Sequence, residues 1–181
     1  MALITITQPA VEPVTVSEVK DSARIDGAEF DAQIAIMITA FRRDAEHALA
    51  RRLITQTVEL VLDAFPSDGD IDLLLPGVQS ITSASYYDEA GALQTLDPSD
   101  YVLDSDSTPC WLIAADDWPA TADAANSVRI RYVVGYGDAA ADVPSNVRLW
   151  IIARVCAALE NREPAPWLAR LLDAETVHRG A

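Results

Sequence analysis

The side chains that most often carry metal or nucleophilic chemistry are sparse in this chain. It contains two histidines, His47 and His178, and two cysteines, Cys110 and Cys156. A zinc site needs several such ligands at short, characteristic spacings, and neither the histidines nor the cysteines have them. Cys110 lies in an apolar run with no base beside it. We therefore interpret both cysteines as buried, reduced thiols and not as a disulfide pair.

Two acidic clusters are the other candidates for chemistry. The run Asp68–Asp72 (DGDID) resembles the opening of a calcium loop, but no glutamate completes it and no helices flank it. We interpret this run and Asp116–Asp117 as solvated turns. No Gly-x-Ser-x-Gly motif or P-loop is present, and Gly135–Gly137 (GYG) is too short for a phosphate loop. The sequence thus predicts no catalytic, cofactor-binding or metal-binding residue, and a protein that is not an enzyme.

Charge is distributed unevenly along the chain. The net charge is −15, and the stretch from Leu53 to Val128 holds 14 of the 28 acidic residues but no lysine or arginine. An acidic surface repels nucleic acid. Carboxylates also protect sheet edges and keep a protein soluble, and we favour this second interpretation. Because the basic residues are thinly spread and not interleaved with aromatic residues, we predict no specific DNA binding.

The segment Phe30–Arg52 predicts one long helix on which other segments must pack. Its apolar residues recur at the helical period. They are Phe30, Ile34, Met37, Ile38, Phe41, Ala45, Ala48 and Leu49. Before it, Thr15 and Glu18 form the sequence signature of a capping box, which predicts a short helix to about Arg24. A second apolar helix, Val147–Leu159, is apolar on nearly all sides, so we expect it to be buried on both sides or to lie at a subunit interface.

Four arginines on the long helix allow two interpretations. The charged and polar residues that fall mostly off the apolar stripe are Arg42, Arg43, Asp44, Glu46, His47 and Arg51. The four arginines are Arg42, Arg43, Arg51 and Arg52. We favour the interpretation that they offset nearby carboxylates. The alternative is that they face DNA in the channel of an oligomer.

The middle of the chain changes to a β pattern. The predicted strands span residues 57–63, 71–75, 78–87, 92–96, 101–103, 110–113 and 127–134. Short strands separated by turn signals, such as the hairpin turn Asp88–Gly91, indicate an antiparallel sandwich or barrel. We therefore predict an α+β chain: a helical part, residues 1–54 and 138–181, with an inserted acidic β domain, residues 55–137. The longest apolar run, Cys110–Ala115, is far short of the ~20 residues of a membrane span, and the first ten residues show no secretory signal.

The order of several short segments resembles a known family. These segments are Pro13–Lys20, Arg24–Asp26, Arg51–Thr57, Leu62–Pro66, Pro76–Ile81, Tyr86–Asp88, Tyr101–Asp104, Val128–Tyr132, Gly135–Gly137, Val143–Pro144 and Glu160–Glu163. Together they resemble the head-tail connector (adaptor) proteins of long-tailed phages and of phage-derived gene transfer agents. The resemblance covers nearly the whole chain.

The resemblance implies a structural protein of the virion, made in the bacterial cytoplasm and placed at the head-tail interface. It implies a ring of about twelve copies beneath the portal ring, which it matches in symmetry. The helical part would build the ring and dock on the portal. The β part would receive the next neck or tail (stopper) protein. DNA would pass through the channel without specific binding, and no cofactor or membrane is implied.

The resemblance also implies which residues meet partners. The C-terminal segment Pro164–Ala181 would reach into the portal, and its alternative is to pack on its own core. The expected portal anchors are Trp167, Leu168, Leu171 and Leu172, and the expected subunit-packing residues are Phe41, Trp150, Ile151, Val155 and Leu159. If the segment docks on the portal, deleting it leaves the fold intact but weakens portal attachment.

Three other functions compete with the adaptor. One is another neck or tail-completion ring. A second, of a different class, is an acidic DNA-mimic inhibitor of a nuclease, and the clustering of the acids in turns counts against it. A third is a hydrolase with an unrecognised site, which no motif supports.

Overall fold

The chain divides into a β unit and a helical unit. A computed structural model describes residues 1–67 and 69–176. The β unit comprises Met1–Gln8 and Thr55–Gly135, and the helical unit comprises Pro9–Ile54 and the described residues from Tyr136 onward. The helices are α1 (Val16–Ala23), α2 (Asp31–Leu49), α3 (Ser145–Leu159) and α4 (Arg170–Asp173). The strands are β1 (Ala2–Thr7), β2 (Gln56–Leu62), β3 (Ile71–Asp72), β4 (Val78–Tyr87), β5 (Leu93–Thr95), β6 (Tyr101–Asp104), β7 (Trp111–Ala114) and β8 (Val128–Val134).

The β unit is an antiparallel sandwich, which confirms the predicted α+β class. One sheet has the order β1-β2-β8-β4-β5 and the other β3-β7-β6, and every strand pair is antiparallel. One face of each sheet contributes to a single apolar core, with Leu60 and Ile130 from the first sheet and Leu112 from the second. Tyr132 is fully buried there, and its hydroxyl donates a hydrogen bond to the carbonyl of Leu73. A buried phenol is therefore satisfied between the two sheets.

The N-terminal strand β1 belongs to the β unit, which corrects its assignment to the helical part. It pairs with β2 over most of its length, with Leu3 opposite Leu60, and Leu3 packs against the β core. The cause is the alternation of the strand, because Leu3 faces the core while Ile4 and Ile6 are exposed. The return boundary also shifts slightly, since Tyr136 is part of the helical unit.

Two turns show how side chains define the strands of the β unit. The strand predicted over 71–75 ends at Asp72, because the Asp72 carboxylate accepts the Leu74 N–H at 2.6 Å and Leu74 has φ of 66°. The predicted hairpin turn after β4 is confirmed. Gly91 has φ of 77°, a conformation that glycine adopts without strain, and Asp88 Oδ1 accepts the N–H groups of Ala90 and Ala92.

The helical unit is built around α2 and α3. The capping box of α1 is confirmed: Thr15 Oγ1 accepts the Glu18 N–H at 3.2 Å, and Glu18 Oε2 accepts the Thr15 N–H at 2.8 Å. One apolar core joins helices α1, α2 and α3 to the C-terminal segment, which contains α4. Its fully buried members include Val19, Ile34, Ala45, Leu49, Val147, Ile151 and Val155.

Helix α2 ends at Leu49, three residues before the predicted end. Ala50 adopts a left-handed conformation with φ of 48°. The Arg51 N–H bonds to the Glu46 carbonyl and the Ala50 N–H to the His47 carbonyl. This is a Schellman motif with alanine at the position that glycine usually occupies. The chain therefore turns sharply here, although the helical apolar pattern gives no sign of it.

Candidate interaction surfaces

The residues that suggested chemistry are not assembled into a metal site. Cys110 and Cys156 are free and buried, and His47 is exposed on α2. His178 lies outside the described residues. Within residues 1–67 and 69–176, no group of three or more His, Cys, Asp or Glu side chains is placed to hold a metal ion.

An open cavity of about 410 Å³ in the β unit collects several of the acidic residues. Phe65 and Trp118 stack in its wall with ring centroids 4.9 Å apart and an interplanar angle of 4°. Asp70, Asp116 and Asp117 line the cavity and are exposed. Asp68, the first member of the calcium-loop-like run, lies outside the described residues. The exposed carboxylates fit the interpretation of solvated turns.

Among the described residues of the β unit there are two basic side chains, and both pair with one carboxylate. Arg129 Nη1 and Arg131 Nη2 each lie 2.8 Å from a Glu59 oxygen. Burial works to raise the pKa of the Glu59 carboxyl, but the hydrogen bonds and charges of Arg131 and Arg129 outweigh it and lower the pKa. The other acidic residues of the β unit consequently keep a strongly negative surface.

A buried ion-pair cluster lies in the helical unit. Arg42 is 2% exposed and Glu46 is 4% exposed, and Arg42 Nη1 lies 3.1 Å from Glu46 Oε2. Arg42 Nε donates to Glu12 at 2.7 Å, and Glu46 Oε1 accepts the Leu53 N–H at 3.1 Å. The placement of Arg42 and Glu46 off the apolar stripe is therefore wrong. Arg42 cannot face DNA in a channel, because its charge is enclosed by partners in its own unit.

A sequence signal for this burial exists. Arg42 stands four residues after Ile38, and Glu46 four residues after Arg42, so both lie on the line of the apolar stripe. An opposite-charge pair at that spacing inside a stripe indicates a buried, mutually neutralised pair.

The C-terminal segment packs on the helical unit as far as the structure describes it. Leu168 is 4% exposed and Leu172 is 7% exposed, and Leu171 is partly buried against the same core. Trp167 is 53% exposed. Of the four predicted portal anchors, Trp167 therefore offers the largest free apolar surface.

Polar contacts also hold this segment. Asn146 Nδ2 donates to the Leu171 carbonyl at 2.8 Å, and the Tyr136 hydroxyl donates to Glu175 Oε2 at 2.9 Å. Burial raises the pKa of Tyr136 to about 12, and Glu175 adds to the rise, whereas the nearby Arg51 guanidinium opposes it. The described part of the segment is thus tied to the unit by its backbone and its side chains.

The predicted subunit-packing residues fall into two groups. Ile151 and Val155 are fully buried in the core of their own unit, so they leave no surface for a neighbouring subunit, and this assignment is corrected. A helix apolar on all sides is here covered by α1, α2 and the C-terminal segment. Phe41 and Leu159 are partly exposed, whereas Trp150 is buried at 8% exposure. Phe41 and Trp150 meet edge to face, with centroids 6.5 Å apart.

A groove of about 500 Å³ opens beside Trp150, and sequence reasoning missed it. We call it the Arg154 groove. Its lining includes Ala48, Trp150, Arg154, Pro164, Leu168 and Leu172. The Arg154 guanidinium lies 5.0 Å from the Phe41 ring centroid and 5.3 Å from the Trp150 centroid. Its Nε is buried without a hydrogen-bond partner, and Arg154 has no ion pair among the described residues.

Other apolar side chains of the helical unit are exposed. Ile36 on α2 is 71% exposed, among Ala35, Thr39, Ala40 and Arg43. Phe30, at the start of α2, is also exposed, as is Leu149 on α3. Among the residues that the structure describes, no helix has the length and apolar character to cross a bilayer.

Comparison with known proteins gives a clear structural likeness. No protein-family model matches the chain, and no curated protein matches it. The chain is similar to a chain of the neck of an empty GTA particle computed with C6 symmetry, with a TM-score of 0.85 at 20% identity. It is also similar to a chain of the virion of a native gene transfer agent (GTA) particle, with a TM-score of 0.83 at 21% identity. A third likeness is to a chain of the neck of a native GTA particle computed with C12 symmetry, with a TM-score of 0.81 at 19% identity. Each match covers 100% of this chain and 98% of the other. The protein therefore has, over its whole length, the fold of chains found in gene transfer agent particles.

Proposed function

We propose that this protein is the structural head-tail adaptor of a gene transfer agent or tailed phage, forming a ring beneath the portal. The observation that carries the proposal is the full-length likeness of the fold to chains of gene transfer agent necks. The order of the short segments that resemble connector proteins supports the same assignment independently. In this proposal the protein has no catalytic role.

The two units have different roles in the proposed ring. The helical unit packs against its copies and docks on the portal, and the β unit receives the next neck or tail protein. Identical subunits that repeat one head-to-tail contact close into a ring when the rotation permits. Twelve copies would match the portal, and one of the similar necks was computed with C12 symmetry.

The acidic β unit has a role beside a DNA channel. DNA is bound non-specifically through cations that neutralise its phosphates. The basic side chains of this unit, Arg129 and Arg131, are already held by Glu59. Carboxylates that line the channel would keep DNA from adhering during transfer. Mapping the charge on the assembled ring tests this, and an acidic surface confined to the outer wall would contradict it.

The C-terminal segment provides the proposed portal contact. Leu168 and Leu172 fix the segment to the helical unit, and Trp167 stays exposed. A large amphipathic side chain on a fixed segment is a typical anchor at protein interfaces. Of the four predicted anchors, Leu168 and Leu172 therefore position the segment. Trp167 and Leu171 keep exposed surface that the portal can contact.

The acidic residues give little support to a DNA-mimic inhibitor. Asp97 accepts a hydrogen bond from the N–H of Ser99, and Asp104 accepts the N–H groups of Asp106 and Ser107. These carboxylates form turns in their own loops, whereas a DNA mimic needs acids regularly spaced on one exposed face. Another neck or tail-completion ring remains the main alternative, because it shares the observation on which the adaptor rests.

Co-sedimentation with purified portal rings, followed by electron microscopy of the pellet, tests the adaptor. We expect a stoichiometric ring of this protein on one face of the portal, and no pellet in a matched run without portal. Absence of binding to portal together with binding to a purified tail-completion ring would move the protein to the alternative.

A further inference from the structure

The Arg154 groove lacks a counter-charge. Its walls are largely apolar, with Trp150, Pro164 and Leu168 among them, and the Arg154 guanidinium lies over the Phe41 and Trp150 rings. Asp173 lies at the groove and is exposed, but it forms no ion pair with Arg154 in the described residues. An arginine that is held in place on aromatic rings and has no ion pair among the described residues is preorganised for a carboxylate. The groove thus suits an apolar side chain that arrives beside a carboxylate.

The loop Asp26–Phe30, which we call the Phe30 loop, has this chemistry. Phe30 is 45% exposed and is preceded by Glu29, which is exposed and has no ion pair or hydrogen bond among the described residues. The next carboxylate, Asp31, is held by Lys20 at 2.8 Å. Glu29 is therefore the free acid beside the exposed ring.

The loop and the groove lie at opposite ends of one helix. Phe30 precedes the first residue of α2, and Ala48 near its end lines the groove. At a rise of 1.5 Å per residue the two are about 27 Å apart, so one molecule cannot fill its own groove. Both belong to the helical unit, so the complementarity is independent of the β unit.

We propose that the Phe30 loop of one copy docks in the Arg154 groove of the next copy, with Phe30 on Trp150 and Glu29 paired with Arg154. This contact joins two different surfaces, which is the head-to-tail type that generates rings. It rests on the proposed ring and identifies the interface that closes it. The groove volume, about 500 Å³, lies within the range of sites that enclose a small ligand and accommodates an aromatic side chain.

Two charge reversals and their mixture test this contact in the portal co-sedimentation assay. Glu29→Lys sets like charges at every contact, and so does Arg154→Glu, so each protein alone should give at least about a tenfold lower yield of rings. In a mixture, both kinds of contact between unlike variants pair opposite charges, so a ring in which the two variants alternate is complementary at every contact and should form. Asp44→Lys changes an exposed acid of α2 that has no ion pair within residues 1–67 and 69–176, and this variant should assemble like the wild type.

A second measurement keeps the test valid if Arg154→Glu does not fold. Protein with Glu29→Cys is mixed with protein with Arg154→Cys and a bis-maleimide cross-linker, because the Cα atoms of an arginine–glutamate pair lie farther apart than a disulfide spans. A cross-linked dimer is expected in higher yield from the mixture than from either variant alone. The native cysteines are buried and should stay unreacted.

The outcomes separate this proposal from the adaptor function. If wild-type protein forms rings on the portal and both charge reversals do too, the interface is overturned and the adaptor stands. If wild-type protein does not bind the portal, the adaptor fails, and the cysteine mixture then decides the interface. A cross-linked dimer supports the contact as a self-association surface, and its absence overturns the contact.

Discussion

Arg42 and Glu46 form an ion pair inside the helical unit, with Nη1 3.1 Å from Oε2 and both side chains nearly inaccessible to solvent. Each partner also holds a more distant segment. Arg42 Nε donates to Glu12, which precedes α1, and Glu46 accepts the N–H of Leu53, which follows α2. The pair therefore fixes where the chain enters and leaves this part of the unit.

Removing the Arg42 guanidinium should destabilise the folded protein. We expect Arg42→Met to lower the free energy of unfolding by about 3 kcal/mol, because the buried Glu46 would lose its nearest cation, while Arg52 Nη1 lies farther away at 4.0 Å. Glu46→Gln should cost less, since its amide oxygen can still accept the Leu53 N–H. Urea denaturation of both variants measures this, with the exposed neighbour change Arg43→Met as the control. Equal stabilities for Arg42→Met and Arg43→Met would contradict the burial of the pair.

The left-handed Ala50 offers a stabilising substitution. Ala50→Gly should raise the free energy of unfolding by about 1 kcal/mol, because glycine adopts this conformation without the Cβ clash. The same change at Ala40, exposed in the middle of α2, should lower it by about 1 kcal/mol. Thermal denaturation of the two variants gives opposite shifts if α2 ends as described. A loss of stability in both would place Ala50 in a continuing helix.

The turn carboxylate Asp88 should titrate below its ordinary range. The Gln94 side chain donates to it at 2.7 Å, and this bond, with the N–H groups of Ala92 and Ala90, lowers the pKa of Asp88 from the usual 3.8. A lowered folded-state pKa means that the contribution to stability is present above about pH 3.8 and is lost as the pH falls through the folded value. Titration by nuclear magnetic resonance should show Gln94→Ala raising the pKa of Asp88. Gln33→Ala, an exposed change in the helical unit, should leave it unchanged.

Tyr136 reports on the docking of the C-terminal segment. Burial raises its pKa to about 12 from the usual 10.0, and the Glu175 carboxylate adds to the rise. The unfolded chain then loses the proton first, so the free energy of unfolding falls between pH 10.0 and about 12. In an absorbance titration of tyrosinate, Tyr136→Phe should remove a transition near pH 12, and Glu175→Gln should move that transition to lower pH. No shift with Glu175→Gln, against a Glu163→Gln control, would mean that Glu175 does not hold the segment in solution.

Local patterns in the sequence predicted most elements, because each buries one face. The apolar period of α2 and the alternation in β8 follow directly from such burial, and the capping box of Thr15 is entirely local. The pairing of β1 with β2 is not local. The strand alternates over only six residues, and its partner lies more than fifty residues away.

The candidate surfaces were harder to predict for the same reason. The burial of Arg42 depends on Glu12, which is 30 residues away in sequence, so the charge alone indicated exposure. The Arg154 groove is built from α2, α3 and the C-terminal segment, and no single pattern encodes it. The apolar run of α3 predicted burial correctly but could not tell burial in the chain from burial between subunits.

Trp167 and Leu168 are adjacent in sequence, but Trp167 is exposed and Leu168 is buried. Substituting each one therefore tests a different property, portal binding for Trp167 and stability for Leu168. Leu168→Ala should lower the free energy of unfolding by about 2–5 kcal/mol, because it removes a buried side chain from the core of the helical unit. Trp167→Ala should lower it less, by about 1 kcal/mol, since about half of the residue already meets solvent. The effects on portal binding should be the opposite. At a temperature where both variants are folded, Trp167→Ala should lower the yield of rings on the portal, and Leu168→Ala should leave it unchanged.

The burial of Leu168 and Leu172 also changes the result expected from deleting the C-terminal segment. Removal of Pro164–Ala181 takes Leu168 and Leu172 out of the core, so we expect it to destabilise the helical unit instead of leaving the fold intact. Weak portal binding by the deletion therefore has two possible causes, which Trp167→Ala separates because it leaves the core unchanged. Chemical denaturation measures the stability of each preparation, and portal co-sedimentation of the same preparation measures its binding. Wild-type ring yield with Trp167→Ala would place the portal contact on another surface of the helical unit.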